Sequence, residues 1–252
     1  MLPRMRSETV DVATADGRAD AYLVRPDGGE NEELGRVLFA IDAIGLRPRI
    51  EEMADRIASH GYVVLAPNVF YRSGRAPVLP VPDLSDPNSR AGFMKQLRPL
   101  LDSLTPGRIV SDGSAYLDYL AGVAPGPVAI TGYCMGGRLG WRIAAAYPER
   151  VAALAGFHAG GLVTDAPDSP HLSADRIRAE IYFGHADNDG SMTPEQIATL
   201  DRALDDAGVP HRTEVYAGAV HGYTMSDAAA WNEAACERHF AALFELLDRT
   251  FS

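Results

Sequence analysis

The stretch Ile130-Thr131-Gly132-Tyr133-Cys134-Met135-Gly136-Gly137-Arg138 limits what this chain can fold into more than any other. Residues 127–130 before it form a short apolar run that reads as a buried strand, and residues 139–146 after it read as a helix. Between them stands a G-x-C-x-G pentapeptide, a strand-to-helix elbow with cysteine at its tip. A turn that sharp holds its central residue in a strained conformation, and only glycine lets the neighbouring backbones pass so closely. The elbow sets the Cys134 sulfur above a sheet edge, beside the unpaired amides of a helix start, whose partial positive charge favours a thiolate. The Met135 amide is then free to donate to an oxyanion. A lone cysteine is also a common small core residue, so the reading turns on what lies downstream.

Strand and helix patterns alternate along the chain. Residues 8–12 and 19–24 read as two strands joined at Asp16-Gly17, a hairpin signal. After an acidic loop ending near Glu33, residues 36–42 read as a buried strand, 48–60 as a helix closed by Gly61, and 62–67 as the next strand. Residues 68–87 are rich in Pro, Arg and Gly without periodicity, the mark of a rim or lid. Helices are expected near 88–104 and 111–121, strands at 151–157, 181–184 and 212–216, and helices at 194–207 and 228–247. Neither a repeat nor an interdomain linker interrupts this order, so residues 1–252 are expected to form one α/β domain. Its sheet is mostly parallel, covered by helices on both faces, with an antiparallel hairpin at the N-terminus.

Composition narrows the partners. A formal net charge of −11 argues against nucleic acid and against an anionic membrane surface. The two cysteines, Cys134 and Cys236, make no disulfide framework, and neither a CxxC nor a Cys/His metal spacing occurs, so no metal is expected. Cys236 falls among apolar helix positions and reads as core. The first residues lack the apolar segment of a secretion signal, and no run is long enough to span a bilayer. The expectation is a cytoplasmic protein, monomeric or a homodimer, acting on a small molecule.

Ligands of parallel α/β sheets gather at the carboxyl ends of the strands. Asp42, Cys134, Asp187 and His221 each lie just past an expected strand. The chain order nucleophile, acid, histidine suits a cysteine triad in which the acid fixes the imidazole tautomer. Asp189 competes with Asp187 for that part, and Asp187 is preferred. His158 follows another strand and is a candidate cavity residue.

These segments resemble the dienelactone hydrolases (carboxymethylenebutenolidases), cysteine members of the α/β-hydrolase fold. The elbow Gly132-Tyr133-Cys134-Met135-Gly136-Gly137 carries the closest likeness. Ala40-Ile41-Asp42-Ala43-Ile44-Gly45-Leu46, the run 61–70, Phe183-Gly184-His185-Ala186-Asp187 and Tyr216-Ala217-Gly218-Ala219-Val220-His221-Gly222-Tyr223 extend it over nearly the whole chain. The resemblance implies a cofactor-free hydrolase that opens a lactone or cleaves a small carboxylic ester through a thioester. Cys134, Asp187 and His221 would be catalytic, and the amides of Met135 and Ala43 would hold the oxyanion. Tyr133 and Tyr223, beside the cysteine and the histidine, join His158 as candidate cavity residues.

Two positions depart from the family. Where it carries a glutamate that tunes the resting thiol, this chain has Asp42, one methylene shorter. Where the dienelactone enzyme has an arginine for the substrate carboxylate, four residues after the histidine, this chain has Met225. Arg72, Arg75, Arg90 and Arg98 are the candidates to replace it. The departures also fit a degenerate binding protein on the same fold, and a low-pKa thiol fits a redox role; these are the alternatives to the hydrolase.

Overall fold

In the computed structural model, residues 5–27, 35–83 and 86–252 are described. The acidic loop ending near Glu33 lies outside them. The order of strands in the sheet is β1-β2-β4-β3-β5-β6-β7-β8. Strands β1 (Met5–Thr14) and β2 (Gly17–Pro26) form the expected hairpin, and β2 pairs antiparallel with β4 (Val63–Pro67). From β4 onward the neighbours are parallel: β3 (Arg36–Ala40), β5 (Val128–Tyr133), β6 (Val151–Phe157), β7 (Glu180–Ala186) and β8 (His211–Tyr216). Strands β3, β4 and β5 are buried along their whole length, which is why they read as continuous apolar runs rather than alternating ones.

Helices cover both faces. On one lie α1 (Pro48–Ala58) and α6 (Glu233–Phe251), joined by the Arg56–Glu237 pair and by His60 stacked on Phe244. On the other lie α3 (Pro106–Val123) and α4 (Met135–Ala146), with α5 (Pro194–Asp206) beyond them. Helix α2 (Pro87–Ser103) stands apart: its Phe93 and Leu97 form a small cluster of their own with Ile44, Leu79 and Val81 at the strand-end edge.

Two helix starts differ from expectation for reasons of capping. Thr105 caps α3 through the Arg108 amide, with Pro106 at the first helical position, so α3 begins five residues before the apolar spacing suggests. Asn232 caps α6 through the Ala235 amide, so residues 228–231 stay in the preceding loop.

The contact that fixes the elbow is between α4 and β3. A Cβ on Gly136 would lie 2.0 Å from the Ala40 carbonyl oxygen, and one on Gly132 would lie 2.4 Å from that of Gly136. Both obstacles are backbone, which cannot rotate aside. Gly136→Ala should therefore cost at the upper end of the overpacking range, about 3 kcal/mol, and lower the melting midpoint by roughly 6–12 °C. A thermal melt within a degree of wild type would contradict this account of the packing.

Candidate active site

Cys134 occupies the turn between β5 and α4 with φ 55° and ψ −116°, a left-handed backbone that a non-glycine residue adopts only under constraint. The constraint is visible: the Cys134 amide donates to the Phe157 carbonyl at 3.1 Å, and its own carbonyl accepts from Gly137 and Gly160. The side chain is thereby raised from the sheet edge. Its sulfur lies 3.0 Å from Nε2 of His221.

His221 stands on the loop after β8. Its Nδ1 is 2.6 Å from Oδ2 of Asp189. The acid on the imidazole is therefore Asp189 and not Asp187, a correction to the sequence reading. Asp189 is buried, and its other oxygen accepts from the Ser191 amide at 2.8 Å and the Ser191 hydroxyl at 2.7 Å. Asp187 does something else. Its amide donates to the Ala219 carbonyl and its Oδ2 accepts from the Gly218 amide, so it ties the β7 loop to the β8 loop that carries His221. Between the two acids Asn188 has φ 53°, and this left-handed step turns the second carboxylate toward the ring.

Burial opposes charge on His221, but the hydrogen bonds and negative charge of Asp189 and Cys134 outweigh it and push the imidazole up to about 10. Burial likewise opposes charge on Asp189. The bonds from His221 and Ser191 prevail, and the carboxyl is held below its ordinary range. The geometry thus favours an imidazolium between two acceptors.

A cavity of about 150 Å³ opens beside the sulfur, lined by Cys134, His158, His221, Asp42 and Ala43 together with Arg47 and Met225. A larger cleft, about 810 Å³, lies on the other side of Arg47 and holds neither Cys134 nor His221. Met135 opens α4, where the amides of the first turn have no partner within the helix. Ala43 follows β3 across the cavity, and the Gly136–Ala40 approach draws the two backbones together.

Asp42 is in the cavity wall but turned away from the thiol's partner role that the family glutamate suggests. Arg47 takes both its oxygens, at 2.8 and 3.0 Å, and the amides of Ile44 and Gly45 donate to Oδ1. The sulfur's partner is His221.

His158 is among the residues lining the cavity. Its ring meets that of His221 edge-on at 5.2 Å, and its Nε2 lies 2.8 Å from the Thr224 hydroxyl. Burial and the neighbouring His221 and His239 push its pKa well below the usual imidazole value, so the ring is neutral. Tyr133 and Tyr223 are corrections. Tyr133 is fully buried in the core, stacked on Phe39 at 4.7 Å with its hydroxyl 3.2 Å from His239. Tyr223 is buried behind His158 and donates to the Gly184 carbonyl.

The arginine candidates are engaged elsewhere. Arg72 pairs with Asp112 and Asp16, Arg75 with Asp11, and Arg98 with Asp102; the Arg90 side chain lies outside the described residues. The residue that sequence reasoning missed is Arg47, which stands at the N-cap of α1 just before Pro48. Cys236 is buried on α6, where burial pushes its thiol up to about 11. Among the described residues, no group of three or more potential ligands could hold a metal, and no helix is long and apolar enough to cross a membrane.

A model of the dienelactone hydrolase family matches residues 19–251. An Escherichia coli (strain K12) relative described as a "putative carboxymethylenebutenolidase" is 28% identical over 233 residues, covering 89% of this chain and 80% of its own. Among solved structures, a "putative dienelactone hydrolase" from Klebsiella pneumoniae subsp. pneumoniae superposes with a TM-score of 0.83 at 20% identity, over 98% of this chain and 99% of that one. The dienelactone hydrolase-like promiscuous phosphotriesterase P91, from metagenomic libraries, gives 0.79 at 22% identity, over 98% of this chain and 99% of its own. At those identities the two structures show the α/β-hydrolase fold.

The sulfur's share in raising His221 is measurable. In wild type the imidazole Cε1–H resonance should keep its protonated shift through pH 8. In Cys134→Ala only Asp189 remains to oppose burial, so the midpoint should move to lower pH. An unchanged midpoint would mean that the sulfur has no part in raising the imidazole.

Proposed function

The chain belongs to the dienelactone hydrolase family and is a hydrolase acting on esters or lactones; from that premise we propose that it works through a Cys134 thiolate and a thioester intermediate. The observation that carries this is the line of three groups, Sγ of Cys134 at 3.0 Å from His221 Nε2 and His221 Nδ1 at 2.6 Å from Asp189. Nucleophile, base and orienting acid are each within hydrogen-bond reach of the next, the arrangement that activates a thiol.

The reaction proceeds in two halves. The thiolate attacks the carbonyl carbon, and the oxygen takes up the electron pair of the broken π bond. The amides of Met135 and Ala43 hold that oxyanion; removing one such donor costs about 3–4 kcal/mol in enzymes where it has been measured. Collapse of the adduct re-forms the carbonyl and breaks the bond to the alkoxy or enol oxygen. His221 gives that oxygen a proton from Nε2 and is left neutral. In a lactone the leaving oxygen stays tethered to the acyl chain. Nε2, now neutral, takes a proton from water as the water attacks the thioester. The adduct releases a carboxylic acid, whose ionisation leaves carboxylate, and restores the thiolate–imidazolium pair. The chemistry asks for no cofactor. A cytoplasmic setting would keep this thiol reduced.

The two acids separate the roles. Asp189→Asn should lower kcat/KM for a chromogenic ester by about 10²-fold or more, because the ring loses its tautomer-fixing carboxylate. Asp187→Asn should change turnover far less and act mainly on the melting midpoint, since its bonds tie two loops. Cys134→Ala should abolish activity. Equal rates for wild type and Cys134→Ala would sink the mechanism.

A further inference from the structure

Arg47 is the one arginine or lysine among the described residues lining the cavity beside Cys134, and it is fully committed. Nε donates to Asp227 Oδ2 at 2.6 Å. One terminal nitrogen donates to Asp42 Oδ1 at 2.8 Å and to the Gly45 carbonyl at 3.0 Å. The other donates to Asp42 Oδ2 at 3.0 Å and to Asp227 Oδ1 at 3.2 Å, with Met225 Sδ at 3.6 Å. A guanidinium has five N–H groups in a fixed fork, so oxygen acceptors already account for all of them. Two carboxylates against one guanidinium leave this patch with a net charge of −1.

A substrate carboxylate would have to evict Asp42 or Asp227 from the fork. Asp42 is buried and braced by the Ile44 and Gly45 amides, and Asp227 makes a bidentate pair. The remaining wall is apolar: Ala43, Ile44, Met94, Met225, Ala228 and Ala230. The side-chain nitrogen without a partner there is Nδ1 of His158, on a ring that burial keeps neutral.

We propose that the acyl group this hydrolase accepts is uncharged, and that Asp227, by saturating Arg47 together with Asp42, is the specificity-determining residue that excludes a carboxylate. The apolar Met225 then packs against the substituent. The proposal rests on the hydrolase reading above, but its test need not.

Two measurements separate them. The first compares turnover of 5-methylidene-2(5H)-furanone with its 5-carboxymethylidene analogue, which adds one carboxylate to the same ring. Wild type should prefer the neutral ring by roughly ten-fold or more in kcat/KM, the scale of a like charge placed in a desolvated site. The second follows alkylation at Cys134, by mass spectrometry, with iodoacetamide and iodoacetate. Asp227 is one-third exposed and also faces the larger cleft, so Asp227→Ala frees two N–H groups without opening the core. It should raise the iodoacetate-to-iodoacetamide rate ratio several-fold and improve the anionic lactone over the neutral one. A wild-type preference for the anionic ring, or a rate ratio unmoved by Asp227→Ala, overturns the proposal. Failure to turn over either ring counts against the hydrolase reading with these lactones, while the alkylation ratio still decides the question of charge.

Discussion

The backbone of Cys134 is held in a left-handed conformation by the approach of one glycine to one carbonyl. Gly136 lies so close to Ala40 that no side chain could replace its hydrogen, and this seats the first turn of α4 on the end of β3. A strained residue of this kind costs about 1–3 kcal/mol, which only a rigid surround can sustain. Here the surround is the fully buried centre of the sheet, β3 and β5, with β6 accepting the Cys134 amide at Phe157. The same contact brings the first turn of α4 against the backbone of Ala40 and Ile41 at the end of β3. Elbow strain and the seating of α4 on the sheet are consequences of one packing constraint.

The imidazole is placed by different means. It stands on a loop, and the loop is tied to its neighbour by Asp187, whose amide and carboxylate reach Ala219 and Gly218. Asp189, two residues on, is locked by Ser191 and turned toward the ring. One short acidic segment therefore both fastens the histidine loop and orients the histidine. His158 buttresses the ring from behind and stays neutral, so it adds no like charge to the pair in front of it.

Much of this was legible in the sequence, because parallel strands with apolar runs and glycine-marked turns are written in local pattern. Cys134 and His221 stood out since their neighbours are glycines that sharp strand-end turns require. The triad acid was harder. Distance from the strand end favours Asp187, whereas the hand of the turn at Asn188 decides which carboxylate swings inward, and a residue pattern does not encode that hand. Tyr133 could have been assigned to the core. On a strand it shares a face with Thr131, and the hydroxyls of the two lie 3.3 Å apart in the buried layer beneath α6. Arg47 was invisible because its partners are 5 and 180 residues away, and only the fold brings the second one near.

Shortening the family's glutamate to Asp42 then has a physical sense. An aspartate this close to the strand end is held by the turn that follows it, through the Ile44 and Gly45 amides, and meets the Arg47 fork with both oxygens. A carboxylate so engaged is no longer available to the thiol at rest. The sulfur instead pairs with His221, whose charge the Asp189 carboxylate supports from the far side. The two departures from the family pattern are therefore linked: the guanidinium near Met225 comes from the N-cap of α1 rather than from the histidine loop, and it pairs with the protein's own acids. Asp42 and Arg47 belong to the cavity wall, and the Cys134–His221–Asp189 line stands assembled without them.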